Sequence, residues 1–472
     1  MNIRHIAVAA VALAAGQAFA LNPTDSAAAV QVHMSGASAM RNLIGGLFTE
    51  NCAAGTLDTY YSAIGTFSGI AFTAAGDAHR VYTCTMSATS PILPSKNVAL
   101  YKSDIGGSGQ GVFPVQARSS RNFLNLSTCG AKVSGTPNYT CTGEQSTIPM
   151  AGVSDVEPRL FKGVNVPKDD PSYPADGLTD DQIAEMEVNP LFQTIFAVAV
   201  NKSLRDAMQT AQSKTVGSDA DVDQPSISRV IAASYFSGAL SDPSTGLGWQ
   251  LLVNGADPKK ATQVNICRRV DGSGTQASAN AELLGFPCNG NALTLADKGI
   301  SDVGPDNQAL SNVTTTGKVF VYEGSSTGNV VTCLNTAETN AAYAIGHVSK
   351  ENVPATTGAI GNWRHVSLDG AVPSRDNVKA GKYGYFFEST MQWNKAQFAT
   401  LSADQKAFLT TFAARARLSD SLAKLSASTQ NGVAAMPDTY AGAYGTGSAN
   451  EIKFGSRVTR GGNSCTPATV AK

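Results

Sequence analysis

Apolar and polar positions along this chain change period in blocks. "VQVHM" (30–34) is a short run of strand type, and "SGASAMRNLIGGLF" follows with Met40, Leu43, Ile44 and Leu47 at helical spacing. The same succession of strand, small-residue turn and helix-like stretch recurs. "NVALYKS" (97–103) leads into "GGSGQG", and "FAVAVN" (196–201) leads into "KSLRDAMQTA". "QVNICRRV" (263–270) leads into "SGTQASANAELLG", a predicted helix closed by Gly285. "AAYAIGHV" (341–348) is a further predicted strand. This repetition predicts an α/β fold with parallel strands. Residues 118–150 and 166–182 carry neither period and read as loops, as does the polar tail from Gly455. "SRVIAASYFSGALSD" (228–242) reads as amphipathic; its aromatic residues, with Trp249, Trp363, Tyr383 and Trp393, are assigned to the core. No internal repeat is visible in the sequence.

The first twenty residues read differently. Arg4 precedes an apolar run, Ile6 to Ala15, and Ala18-Phe19-Ala20 fits a signal-peptidase site. They are predicted to be a cleaved secretory signal, which implies a periplasmic or secreted protein. No later run is long and apolar enough to span a bilayer. Without Arg4 the chain holds 34 Lys+Arg against 36 Asp+Glu, a net −2. Such a balance gives no global attraction to nucleic acid or to an anionic membrane surface. Any anion must be bound locally.

Eight cysteines in an exported chain favour disulfides. Pairing of neighbours is the expectation: 52–84, 129–141, 267–288 and 333–465. No CxxC occurs and the histidines are scattered, so no metal site and no cofactor are expected.

Three Ser/Gly turns sit where a strand gives way to a helix: "SGAS" (35–38), "GGSG" (106–109) and "DGSGT" (271–275). The first turn of a helix has four backbone N–H groups without internal partners, and its dipole is positive there. Small residues admit an anion to those groups, and hydroxyls add donors. Taken singly, each turn also reads as an ordinary Ser-capped helix start. Arg269, just before the third turn, can make paired bonds to an oxyanion. Asp271 could hold that guanidinium or cap the helix.

"RRVDGSGT" resembles the anion-binding signature of the periplasmic phosphate-binding proteins that serve ABC transporters. The family's other markers follow in order: "SGASAM", "YKSDIGGSGQGV", "AGVSDVE", "AIGHV" and "HVSLDGAVPSRDNVKAGKYGY". The resemblance implies a two-lobed type II periplasmic-binding-protein fold with a ligand cleft between the lobes. One lobe would hold 21–198 and 349–472, the other 199–348. By position it implies a phosphate site of Ser38, Ala39, Ser108, Asp155, Arg269, Asp271, Ser273, Gly274 and Thr275, with Asp104 as the alternative to Asp155. It further implies a monomer that passes phosphate, or the similar arsenate, to an inner-membrane permease without covalent chemistry.

Two other readings stand beside it. "GSSTG" (324–328) fits the G-x-S-x-G pattern of a hydrolase, with Ser326 as nucleophile and His347 or His365 as base. Its flanks, "KVFVYE" and "NVVTCL", read as a hairpin rather than the strand and helix that pattern needs. A surface-interaction protein that kept the fold but lost or retuned the pocket is the second.

Overall fold

The computed structural model describes residues 29–72, 74–168, 170–239, 248–296, 319–355, 361–437 and 446–471. The predicted signal, residues 1–20, lies outside them. Eleven strands lie side by side in one sheet: β1 (Val30–Gly36), β2 (Asp58–Ser62), β3 (His79–Thr85), β4 (Asn97–Ser103), β5 (Asn138–Cys141), β6 (Ala151–Ser154), β7 (Met186–Asn201), β8 (Val264–Arg269), β9 (Val319–Gly324), β10 (Ala344–Ser349) and β11 (Phe386–Asn394). Their order is β9-β8-β10-β7-β11-β6-β1-β4-β3-β2-β5.

Two parts of this sheet repeat one winding. β1 runs parallel to β4 on one side and β6 on the other; β8 runs parallel to β9 on one side and β10 on the other. In each half the first strand is central and the third lies toward the β7–β11 pair. β1 is covered on both faces, so it reads as a nearly unbroken buried run. Val32 and Met34 enter one core, while His33 stacks on Tyr101 across the other face, ring centres 4.4 Å apart. Burial lowers the His33 pKa to about 4.

β7 joins the halves. Residues Met186 to Ile195 pair with β11, and Phe196 to Val200 pair with β10. The β11 ladder shifts register between Pro190 and Gln193, where the proline has no N–H to donate. Trp363–His365 and Ser367–Leu368 still pair with second-half segments, the end of β7 and Ser226–Ile227. Trp249, Trp363, Tyr383 and Trp393 are buried.

The helices include α1 (Arg41–Thr49), α2 (Lys202–Ala211), α3 (Arg229–Phe236), α4 (Gly274–Ala279), α5 (Thr327–Thr339) and α6 (Ala403–Ala416). A π turn continues α4 to Leu284, and Gly285 at φ 74° closes it, as its sequence predicts. No helix among the described residues is long and apolar enough to cross a membrane.

Four expectations are corrected. Residues 118–150 are not structureless: Arg121–Leu124 pairs with Glu144–Thr147, and β5 extends the sheet edge beside β2. "GSSTG" is followed by a helix, not by a second hairpin strand. Ser326 caps α5 reciprocally with Asn329, a local signal that outweighs the β-branched residues after it. The tail from Gly455 forms a small ribbon, Val458–Thr459 with Thr469–Val470. Finally, Cys52–Cys84 and Cys129–Cys141 pair as neighbours, but the others are Cys267–Cys333 and Cys288–Cys465. Packing decides this: α5 lies on β8, which brings Cys333 over Cys267.

Candidate functional site

Within each half the three parallel strands end together, and open α/β sheets bind ligands outside such ends. The turns that follow meet across the halves. Gly109 N–H donates to Gly272 O at 2.8 Å, and Pro167 packs against both residues.

The first half supplies three predicted residues. Ser38 opens a 3-10 turn after β1, with Ala39 buried beside it. Ser108 opens the turn after β4 and is fully buried. Asp155 follows β6 and is 2% exposed. Its backbone N–H donates to Ser108 Oγ at 3.2 Å.

The second half supplies the others. Arg269 ends β8 and is 1% exposed. Its Nε donates to Gly324 O (3.1 Å), Nη1 to Thr327 Oγ1 (3.2 Å), and Nη2 to Ser325 O (2.7 Å) and Ser38 Oγ (3.4 Å). Ser273 caps α4 by accepting from Gln276 N–H. Thr275 Oγ1 donates to Asp155 Oδ2 at 3.1 Å. Gly274 is required by proximity: a Cβ there would stand 2.3 Å from Ser108 Oγ and 2.9 Å from Asp155 Cβ.

The structure therefore brings Ser38, Ser108, Asp155, Arg269, Gly274 and Thr275 together from distant parts of the chain. Asp155 Oδ1 is buried with no hydrogen-bond partner among the described residues. Burial raises the Asp155 pKa above the usual carboxylate value, against the opposing pull of Arg269. The arrangement offers several donors and one acceptor oxygen to whatever enters.

Asp271 is placed otherwise. Its carboxylate pairs with Lys168 at 2.5 Å, and carbonyls and hydroxyls grip Arg269 instead. The alternative acid, Asp104, is committed elsewhere. Its two oxygens meet Lys102 Nζ and Arg41 Nε, each at 2.6 Å. Lys102 is itself fully buried and also donates to Gly36 O and Ser103 O. Burial lowers its pKa, and Asp104 opposes that. Arg41 bridges on to Asp77.

Sequence reasoning missed Lys102, Arg41 and the clamp on Arg269. The clamp lies within "GSSTG", a stretch weighed there only as a nucleophile. Ser326 Oγ is engaged by Asn329. His347 Nε2 faces Gln276 Oε1 at 3.0 Å, and burial lowers its pKa to about 3. His365 Nδ1 faces Lys350 Nζ at 3.3 Å.

No family's sequence profile and no curated protein matches the chain. The chain is similar to phosphate-binding proteins of solved structure. A Clostridium perfringens structure described as a phosphate ABC transporter substrate-binding protein with bound phosphate is 12% identical, covering 84% of this chain and 97% of its own, with a TM-score of 0.41. A phosphate-binding protein from Stenotrophomonas maltophilia is 13% identical, covering 81% and 83%, with a TM-score of 0.37. An ABC-type phosphate transport receptor from Vibrio cholerae is 14% identical, covering 57% and 74%, with a TM-score of 0.30.

Proposed function

We propose that this chain is an exported solute-binding protein that captures inorganic phosphate between two lobes and delivers it to an ABC permease. The observation that carries this reading is Asp155. A buried carboxyl with an unpartnered oxygen is costly beside an ordinary anion, because the two repel and neither donates. It is useful beside an anion that keeps a proton. Monohydrogen and dihydrogen phosphate carry P–OH groups; sulfate at neutral pH does not. Leaving the acceptor unpaired costs roughly 1–3 kcal/mol or more, which disfavours sulfate by about fivefold to more than a hundredfold.

Each other residue has a matching role. Arg269 supplies positive charge and a planar fork. Ser38, Ser108 and Ser273 offer hydroxyls, the Thr275 hydroxyl holds Asp155, and the backbone N–H groups of Ala39, Gly274 and Thr275 extend the donor set. Asp271 acts beside this cradle, through Lys168. Contacts drawn from both halves favour a closed form, since only closure unites the donors.

The lobes meet where β7 changes partners, at Ile195 and Phe196. In this reading the returning chain stays with the second lobe as far as Leu368, because Ser367–Leu368 pair with Ser226–Ile227, whereas the resemblance implies a return at 349.

Calorimetry on the mature protein, stripped of ligand, tests the reading. One-to-one phosphate binding with no sulfate response at neutral pH is the expected result. Equal response to both anions would remove Asp155 from the recognition of a proton. No response to either would bring forward the surface-interaction reading.

A further inference from the structure

The repeated winding is used unequally by the cradle. It takes the turn after the first strand from both halves, Ser38–Ala39 after β1 and Ser273–Thr275 after β8. From the first half alone it takes the turn after the second strand, at Ser108, and the acid after the third, Asp155. The second half has counterparts to both. The turn after β9 is Ser325-Ser326-Thr327, and Glu351 follows β10. Ser326, Thr327 and Glu351 line a cavity of about 200 Å³ that Ser38 and Ala39 also border.

This cavity has donors and, among the described residues, one buried acceptor oxygen left unpaired, on Glu351; the Arg41–Asp77 ion pair also borders it. α5 is 13 residues long and points its first turn, Thr327 and Gly328, at the cavity. The Ser326 cap serves Asn329 N–H, which leaves the N–H groups of Thr327 and Gly328 without partners inside the helix. Arg269 stands between the two compartments, with Nη1 on Thr327 Oγ1 and Nη2 on Ser38 Oγ. Glu351 Oε1 accepts from Ser349 Oγ at 2.6 Å, while Oε2 is buried with no partner among the described residues. Burial, with repulsion from Asp155 as a smaller cause, raises the Glu351 pKa to about 7. A neutral hydroxyl would leave the helix N-terminus without an anion. A simple dianion would leave the ionised form of Glu351 without a donor.

We infer that this cavity is a second oxyanion subsite, which admits diphosphate in addition to orthophosphate, one phosphoryl group resting in the Asp155 cradle and the other between α5 and Glu351. The inference rests on the phosphate reading of the cradle. Diphosphate near neutral pH remains an anion that mostly keeps one proton, so it can donate to one of the two acids, while Glu351, whose raised pKa lets it hold a proton of its own, donates at the other. The bridging oxygen would pass Arg269.

The test is calorimetry on the mature chain with three probes: orthophosphate, diphosphate and glycerol phosphate. The same titrations follow on Glu351→Ala and Glu351→Gln, with circular dichroism melting to confirm folding. Diphosphate should bind one-to-one and at least as tightly as orthophosphate. Its affinity relative to orthophosphate should fall at least tenfold in Glu351→Ala. Orthophosphate binding with diphosphate more than tenfold weaker would overturn the subsite and leave the cradle standing. So would an unchanged ratio in a folded Glu351→Ala, or glycerol phosphate binding as well as diphosphate. Binding of none of the probes would overturn the cradle reading itself.

Discussion

The two halves of the sheet fix charge in opposite ways at equivalent strand ends. In the first half, Lys102, Asp104, Arg41 and Asp77 form a chain of ion pairs in which each cation faces a carboxylate. In the second half, Arg269 is gripped by two backbone carbonyls and two hydroxyls. Ion pairs orient and also cancel. Carbonyls orient through dipoles and leave a net positive charge in place. The first half thus serves as a charge-balanced scaffold that presents an acid, and the second presents a fixed cation. Damage to the first should appear as lost stability, and damage to the second as lost affinity.

The largest effect is expected on the scaffold. Asp104→Ala leaves Lys102 buried without its counter-ion, and breaking such a pair costs about 3–5 kcal/mol. Urea denaturation should show that loss; a change below about 1 kcal/mol would mean the pairs are not structural. Arg269→Ala should weaken phosphate at least about thirtyfold in calorimetry, in line with the roughly 2–5 kcal/mol for truncating one partner of a buried charge pair. An urea midpoint that falls further than that of Asp104→Ala would reverse the comparison. Gly274→Ala probes the seam itself. Its Cβ would collide with Ser108 Oγ, and overpacking of this kind costs about 1–3 kcal/mol. Affinity should drop about tenfold or more, with unfolding of the ligand-free form changing less.

The smallest effect is a slope. The raised pKa of Glu351 means the folded chain holds a proton that the unfolded chain releases as pH passes its ordinary 4.5. Ligand-free stability therefore falls as pH rises from 4.5 to about 7, by at most about 1.4 kcal/mol per pH unit from this group. Glu351→Gln should flatten that decline in thermal melts. An identical pH profile would show that Glu351 does not titrate in this window.

Much of the cradle was legible because its chemistry is local. A strand end, a small-residue turn and Arg269 are adjacent in sequence, and the helix they start needs Ser273 as its cap. What depended on packing was not legible. The repeat of the two halves lies in how strands are wound; their side chains are set by different neighbours and share no pattern. Glu351 belongs to no motif and gains its meaning only from its place after β10. Asp271 stands beside Arg269 in sequence, but the turn directs it to Lys168. The flanks "KVFVYE" and "NVVTCL" suggest a hairpin around "GSSTG", whereas the reciprocal cap and the face that α5 packs on β8 decide for a helix.

The disulfides carry a consequence for how the chain must be made. Two of them close between consecutive cysteines, 32 and 12 residues apart. The other two interleave: Cys267 waits for Cys333, while Cys288, met in between, waits 177 residues for Cys465. Oxidation in order of appearance would join Cys267 to Cys288 and strand the later pair. Such a bond is undone only by thiolate attack through a mixed disulfide. The native set thus requires delayed oxidation or thiol–disulfide exchange, and oxidation without exchange would yield full-length protein with the wrong bridges.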